Sequence, residues 1–262
     1  MRRAVRITVM ELIDTHCHLD VAAFDADRSR VLHRARRAGV ASQLVPGIDS
    51  AGWDSLLRLC AGEPDLFPAL GLHPVYLDRH EDADLAGLER RIAQASPVAV
   101  GEIGLDFHVV ELDKHRQQQL FEAQLVIARD AGLPVVVHVR KAHDQTLAAL
   151  RKSGVKGGII HAFNGSLQQG LQYFDLGFRL GFGGMLTFER SARLRRLAKA
   201  LPIDAIVLET DAPDLTVASH RGERNSPEYL PEVLTALAGV RDEPPADVAR
   251  HTTQNARVVL GI

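Results

Sequence analysis

Short apolar runs alternate with longer stretches of helical periodicity along most of this chain. The runs at residues 12–15, 41–45, 67–72, 98–102, 135–138, 158–161, 178–181 and 206–209 read as buried strands. Apolar positions at helical spacing fall between and after them, over 28–38, 52–61, 84–95, 114–131, 143–152, 167–174, 191–200 and 228–237. Gly39, the Gly132-Leu133-Pro134 stretch and Leu201-Pro202 mark helix ends. A last helical element within 240–252, after Pro244-Pro245, is expected to pack outside the barrel. Strands that alternate with helices predict βα units on a parallel sheet, and eight of them predict closure into a (β/α)8 TIM barrel. An open doubly wound sheet is the alternative.

Length agrees with the barrel, since 262 residues suit one α/β barrel domain spanning 1–262. No linker or low-complexity stretch divides the chain. Residues 1–9, with Arg2, Arg3 and Arg6, read as a loose leader too short for a signal-peptide core, and Met10 is a possible second start. No run of 18 apolar residues occurs, so no membrane span is expected. The net charge of −2 excludes a strongly basic nucleic-acid coat protein and leaves any polyanionic substrate to be held by a local site. Two cysteines, Cys17 and Cys60, are too few for a disulfide framework and suggest a reducing compartment, with the cytoplasm expected.

The polar residues then acquire a pattern. In an extended Asp14-Thr15-His16-Cys17-His18 segment, His16 and His18 project to one face and Cys17 to the other. Two imidazoles that converge can hold a transition metal, or can be hydrogen-bonded core histidines. His73, Glu102, His138, His161 and Asp211 also fall at or just after the predicted carboxyl ends of strands, the face on which barrel enzymes build their sites. Taken singly, Glu102 or Asp211 caps a helix as readily as it holds a metal. A structural role gives no reason for imidazoles and carboxylates to end strand after strand.

These residues lie in motifs that resemble the TatD-like metal-dependent deoxyribonucleases, within the amidohydrolase-like barrels. The motifs are Asp14-Thr15-His16-Cys17-His18, Gly71-Leu72-His73-Pro74, Gly101-Glu102-Ile103-Gly104-Leu105-Asp106, the 134–140 run containing His138, His161-Ala162-Phe163-Asn164-Gly165, Glu209-Thr210-Asp211-Ala212-Pro213 and Asn225-Ser226-Pro227-Glu228-Tyr229-Leu230. They span nearly the whole chain in the family's order and are particularly similar to its YjjV branch. Ala162 stands where the family often has cysteine, at a position expected to alternate away from the metal.

The resemblance implies a site for two divalent metal ions, of magnesium, manganese or zinc. His16, His18 and Asp211 hold one ion, His138 and His161 the second, and Glu102 bridges them. Asp211 also acts as proton acceptor, and His73 meets the substrate. Glu209 supports Asp211 or is an interior charge partner. Arg140, two residues past His138, binds a phosphate or forms a surface ion pair. Asn164, Gly165 and Ser166 open a helix where an anion can rest, or Ser166 is an ordinary N-cap. The implied activity is trimming of single-stranded DNA from its 3′ end by a monomeric enzyme. Hydrolysis of a lactone, a small phosphodiester or a D-aminoacyl-tRNA is the alternative on the same fold. A non-catalytic binder would lack ligands, and none is missing.

Overall fold

The computed structural model describes residues 10–262, so the leader expected over 1–9 lies outside the described residues. Eight parallel strands run in sequence order: β1 (Leu12–Asp14), β2 (Val40–Pro46), β3 (Leu66–Leu70), β4 (Ala99–Asp106), β5 (Val135–Arg140), β6 (Gly158–Ile160), β7 (Phe178–Phe182) and β8 (Ile206–Leu208). Helices α1 (Arg28–Arg37), α2 (Trp53–Gly62), α3 (Asp82–Ala95), α4 (Lys114–Asp130), α5 (His143–Ser153), α6 (Leu167–Asp175), α7 (Ala192–Ala200), α8 (Leu230–Arg241) and α9 (Pro245–Leu260) surround them. The ring is closed between β8 and β1. There Leu208 O accepts from Thr15 N and Thr15 Oγ1, each at 3.0 Å, and the Asp211 N–H donates to His16 O at 2.8 Å.

Alternation along the strands explains how one chain fills two layers. Leu44, Ala69, Ala99, Val136, Ile159 and Val207 point into the barrel, while Val45, Leu70, Val100, Val137, Ile160 and Leu208 point out into the layer beneath the helices. The interior residues are mostly small or β-branched, which suits the narrow axis of a barrel this size.

Two elements depart from the periodicity. The last helix begins at Pro245, since proline fits the first helical position, where its missing N–H is no loss, and it runs past 252 to Leu260. It also does not lie outside the barrel. Ala256 and Leu260 join the interior cluster, Asn255 Nδ2 donates to Ile203 O and Ile206 O at 2.8 Å each, and Thr253 Oγ1 donates to Glu11 O at 2.8 Å. These contacts to the amino ends of β1 and β8 make α9 the floor of the barrel.

Strand β4 is the second departure. It runs to Asp106, so Glu102 lies inside it and not at its end, and β5 likewise continues past His138 to Arg140. Between Val100, paired with Val135, and Ile103, paired with Val137, β4 carries one residue more than its neighbour. Bulges of this kind re-aim side chains beside active sites. Ala99 points into the barrel and strict alternation would turn Glu102 outward. The extra residue reverses the parity and turns it in.

Candidate metal centre

Each polar residue is aimed by the strand that carries it. His138 follows Val136 on the inward face of β5, His161 follows Ile159 on β6, and Glu209 follows Val207 on β8. Asp211 is held at φ 61°, a left-handed conformation that aspartate tolerates better than most residues. Its N–H donates to His16 O, and the next peptide anchors β1 again through His18 N and Ala212 O at 2.8 Å. Buried Asp14 secures the same join from beneath, accepting from Thr210 N at 2.9 Å and Thr210 Oγ1 at 2.5 Å. Burial pushes the Asp14 carboxyl up to about 7.

Glu102 stands at the centre, with its carboxylate turned two ways. Oε2 lies 3.1 Å from His16 Nε2 and 3.6 Å from His18 Nε2, whereas Oε1 lies 3.0 Å from His138 Nδ1 and 3.3 Å from His73 Nε2. Asp211 Oδ1 completes the first side, 3.8 Å from both His16 Nε2 and His18 Nε2 and 3.5 Å from His161 Nε2. The His161 ring stacks on that of His16 at 3.6 Å, and its Nδ1 lies 3.1 Å from Glu209 Oε1 without hydrogen-bond geometry. Three groups of donor atoms therefore converge, each within 4.8 Å: His16 with His18 and Glu102, His73 with Glu102 and His138, and His16 with His161 and Glu209. His73 belongs to one of these groups although the resemblance gave it only a substrate contact. His161 stands on the side of His16 and Asp211.

The charges form one coupled set. Burial opposes ionisation of Glu102, but His73, His16 and His138 hold it well below the usual carboxylate range. Burial likewise works against charge on His138 and His161. Hydrogen bonds to Asp106 and Glu102 nevertheless hold His138 up at about 9, and Glu209 with Asp211 hold His161 well above its ordinary value. His16 and His73 go the other way, chiefly through burial, and His73 falls to about 4.

This donor set fits divalent cations. His16 Nε2 and His18 Nε2 face one another at 3.2 Å with carboxylate oxygens on either side, an arrangement in which imidazole lone pairs and negative oxygens crowd one point. Imidazole with carboxylate suits zinc, manganese and similar ions, and a carboxylate with one oxygen on each side is suited to bridging.

Residues 13–261 match the family described as TatD related DNase. The chain belongs to the TatD family. It is 36% identical over 257 residues to the uncharacterized metal-dependent hydrolase YjjV of Escherichia coli K12, covering 97% of this chain and 99% of that protein. The crystal structure of that YjjV superposes with a TM-score of 0.93 at 36% identity, again over 97% and 99% of the two chains. A Pantoea ananatis protein named 3′-5′ ssDNA/RNA exonuclease TatD is 33% identical over 261 residues, covering 96% of this chain and 100% of that one. The molecule is thus a metal-dependent hydrolase of the TatD family on a TIM barrel. No helix among the described residues is long and apolar enough to cross a membrane.

Further residues of this TatD barrel complete the site. Arg140 is exposed on the rim and makes no ion pair among the described residues. Asn164 is already engaged: its Oδ1 lies 3.2 Å from His143 Nε2 and its carbonyl accepts from Arg193 at 2.9 Å. Ser166 caps α6 through Gln169 N at 3.1 Å, the ordinary reading of that turn. Ala162 lines the same cavity as His138, His161 and Asp211, and its N–H donates to Glu209 Oε1 at 2.7 Å. Gly181 leaves the room this needs, since a Cβ there would collide with Glu209 Oε2.

Sequence reasoning gave no role to Asp106, Gln117 or Gln124. Asp106 Oδ2 lies 3.0 Å from His138 Nε2 and its other oxygen accepts from His108 N and Val109 N. Two turns apart on α4, Gln117 and Gln124 each grip the backbone of one residue through both its N–H and its C=O. Gln117 Oε1 accepts from Asp106 N at 2.8 Å while its Nε2 donates to Asp106 O at 3.0 Å. Gln124 does the same at Leu72, at 2.8 and 3.1 Å, just before His73. Two amides on the otherwise apolar face of Phe121, Leu125 and Ala128 were the sequence signal for this clamp.

Proposed function

We propose that this hydrolase shortens single-stranded DNA from its 3′ end, using two divalent ions of magnesium, manganese or zinc. The observation that carries the reading is the two-sided placement of Glu102, with His16 3.1 Å from one oxygen and His138 3.0 Å from the other. His16, His18, Glu102 and Asp211 would hold one ion, and Glu102 and His138 the other, with His161, which lines the same cavity as His138, reaching it from the His16 side. When bound, such a pair lowers the pKa of water and neutralises charge on phosphoryl oxygens.

The remaining work falls to the chain. Burial disfavours a charged Asp211, but His161, His16 and His18 hold its carboxyl below the ordinary range, so at neutral pH it is ionised, the state in which a carboxylate that helps hold an ion can also take up a proton. Arg140 on the rim offers a planar fork to a phosphate. His73, neutral at physiological pH and 3.3 Å from Glu102, positions the substrate beside the bridge. Asn164 lines the same cavity as Arg140. The printed name of the P. ananatis relative supports a nucleic-acid substrate.

A flexible strand can thread between loops to donors seated at the strand ends, whereas a rigid duplex must first fray. A linear single-stranded oligonucleotide should therefore be shortened stepwise, a blunt duplex more slowly, and a covalently closed single-stranded circle should survive. Rapid linearisation of the circle would overturn the end-dependent reading. A second reading, hydrolysis of a lactone, small phosphodiester or D-aminoacyl-tRNA, draws on a cavity of about 530 Å³ beside the donors, the size of a small-molecule site. Turnover of one of these, with no polynucleotide shortened, would favour it. Metal analysis tests the bridge separately, because Glu102→Ala should lose two-ion occupancy whatever the substrate.

A further inference from the structure

The cavity of about 530 Å³ opens from His138, His161 and Asp211 towards the β5, β7 and β8 side of the mouth. Its outer walls are Met185, Leu194 and Leu215, with Arg140, Asn164 and Asp214 as polar groups. Met185 and Leu215 are among the exposed large apolar side chains, at 36% and 42%. Beyond them lies a local excess of positive charge on a chain whose net charge is −2. Arg140 ends β5 and Lys141 follows it, and Arg190, Arg193 and Arg196 lead into and along α7, all exposed. Arg193 and Arg196 are one turn apart and share a face.

The pairing of these cations differs from that of cations across the mouth. On the β1 to β3 side Arg28 pairs with Asp25 at 2.7 Å and Arg79 with Asp49 at 3.1 Å. Among the described residues Arg140, Lys141, Arg190, Arg193 and Arg196 form no ion pair, and they outnumber the exposed neighbouring acids Asp144, Glu189 and Asp214; the nearby Asp106 and Glu209 are buried and turned to His138 and His161. Arg193 serves a second purpose, since it donates to Asn164 O at 2.9 Å and Gly165 O at 2.8 Å and so fixes the lip of the cavity. Unpaired guanidinium groups beside an apolar recess match the needs of a single strand, whose phosphates seek cations and whose unstacked bases seek apolar surface. A small neutral substrate needs only the recess.

We propose that the cavity receives the terminal nucleotide of a single-stranded polynucleotide and that Arg140, Arg190, Arg193 and Arg196 carry the phosphates that follow it. This rests on the nuclease reading above and adds the path of the strand: it leaves over β5 and α7, away from Asp20, Asp49 and Asp78 on the other rim.

The test uses Arg190→Ser/Arg196→Ser, because neither guanidinium makes a hydrogen bond among the described residues and the Arg193 anchor is left in place. For wild type and variant, kcat/KM is measured on single-stranded ladders from two to twelve nucleotides, in DNA and in RNA. Binding of a phosphorothioate-protected 12-mer is followed by anisotropy at several salt concentrations. The wild type should gain about tenfold or more in kcat/KM as the strand lengthens, and the variant should lose most of that gain. The variant's slope of log affinity against log salt should be shallower by about 1.4, the loss of two phosphate contacts on a single strand. A variant with wild-type length dependence and slope overturns the path while leaving the nuclease reading in place. A wild type that shortens no oligonucleotide overturns both.

Discussion

Asp106 Oδ2 lies 3.0 Å from His138 Nε2, and this contact decides which nitrogen of that imidazole faces Glu102. With Nε2–H donated to Asp106, the nitrogen turned to the centre is Nδ1, whose lone pair becomes available to an ion once its own proton is released. Asparagine cannot accept from both His138 and the His108 and Val109 peptides, because one of its two terminal atoms is a donor. Asp106→Asn should therefore weaken metal binding by about 10- to 100-fold. Titration against a competing chelator measures this, and unchanged affinity would show that Asp106 only shapes its turn.

His161 and His73 flank the centre from opposite sides, and their roles separate by metal content. His161→Ala should leave about one tightly held ion per chain, whereas His73→Ala should retain two and chiefly raise KM. Elemental analysis of the purified variants, with steady-state kinetics, checks the pair. Loss of an ion from the His73 variant instead would make His73 the ligand.

Gln124 grips Leu72 N and Leu72 O from a fully buried position. In Gln124→Leu both peptide groups lose their partner at nearly unchanged volume, so stability should fall by about 2–4 kcal/mol, one to two for each group stranded. Urea denaturation gives the figure, and a loss below about 0.5 kcal/mol, the scale of an ordinary surface change, would show that the clamp is dispensable.

Burial pushes the Cys60 thiol up to about 12 from an ordinary 9. The folded protein keeps that proton while the unfolded chain begins to lose it near pH 9, so stability falls as pH rises from about 9 towards 12. Cys60→Ala should remove this part of the alkaline decline, seen as a smaller drop in urea midpoint between pH 8 and pH 10 than in the wild type. Equal drops would mean that the thiol titrates normally. In the folded state the Cys60 thiol should also resist alkylation at pH 8, because almost none of it is thiolate.

Local sequence determined the alternation of strand and helix, the number and order of the strands, and the pairing of His16 with His18 two residues apart. Those features depend on side-chain period and on glycine or proline stops, which act over a few residues. The inward turn of Glu102 was not legible in the same way. It comes from one extra residue in β4, set by pairing with β5, and no apolar pattern marks a residue that simply fails to find a partner. The reach of α9 under the barrel was hidden for a related reason, since a helix written with one apolar face fits a side wall or a floor equally well. Asp14 meets Thr210, Gln124 meets Leu72 and Asp106 meets His138 only after the ring closes. A buried polar group must find a partner, but its own sequence does not say where, and closure of the barrel supplies that partner from a distant part of the chain.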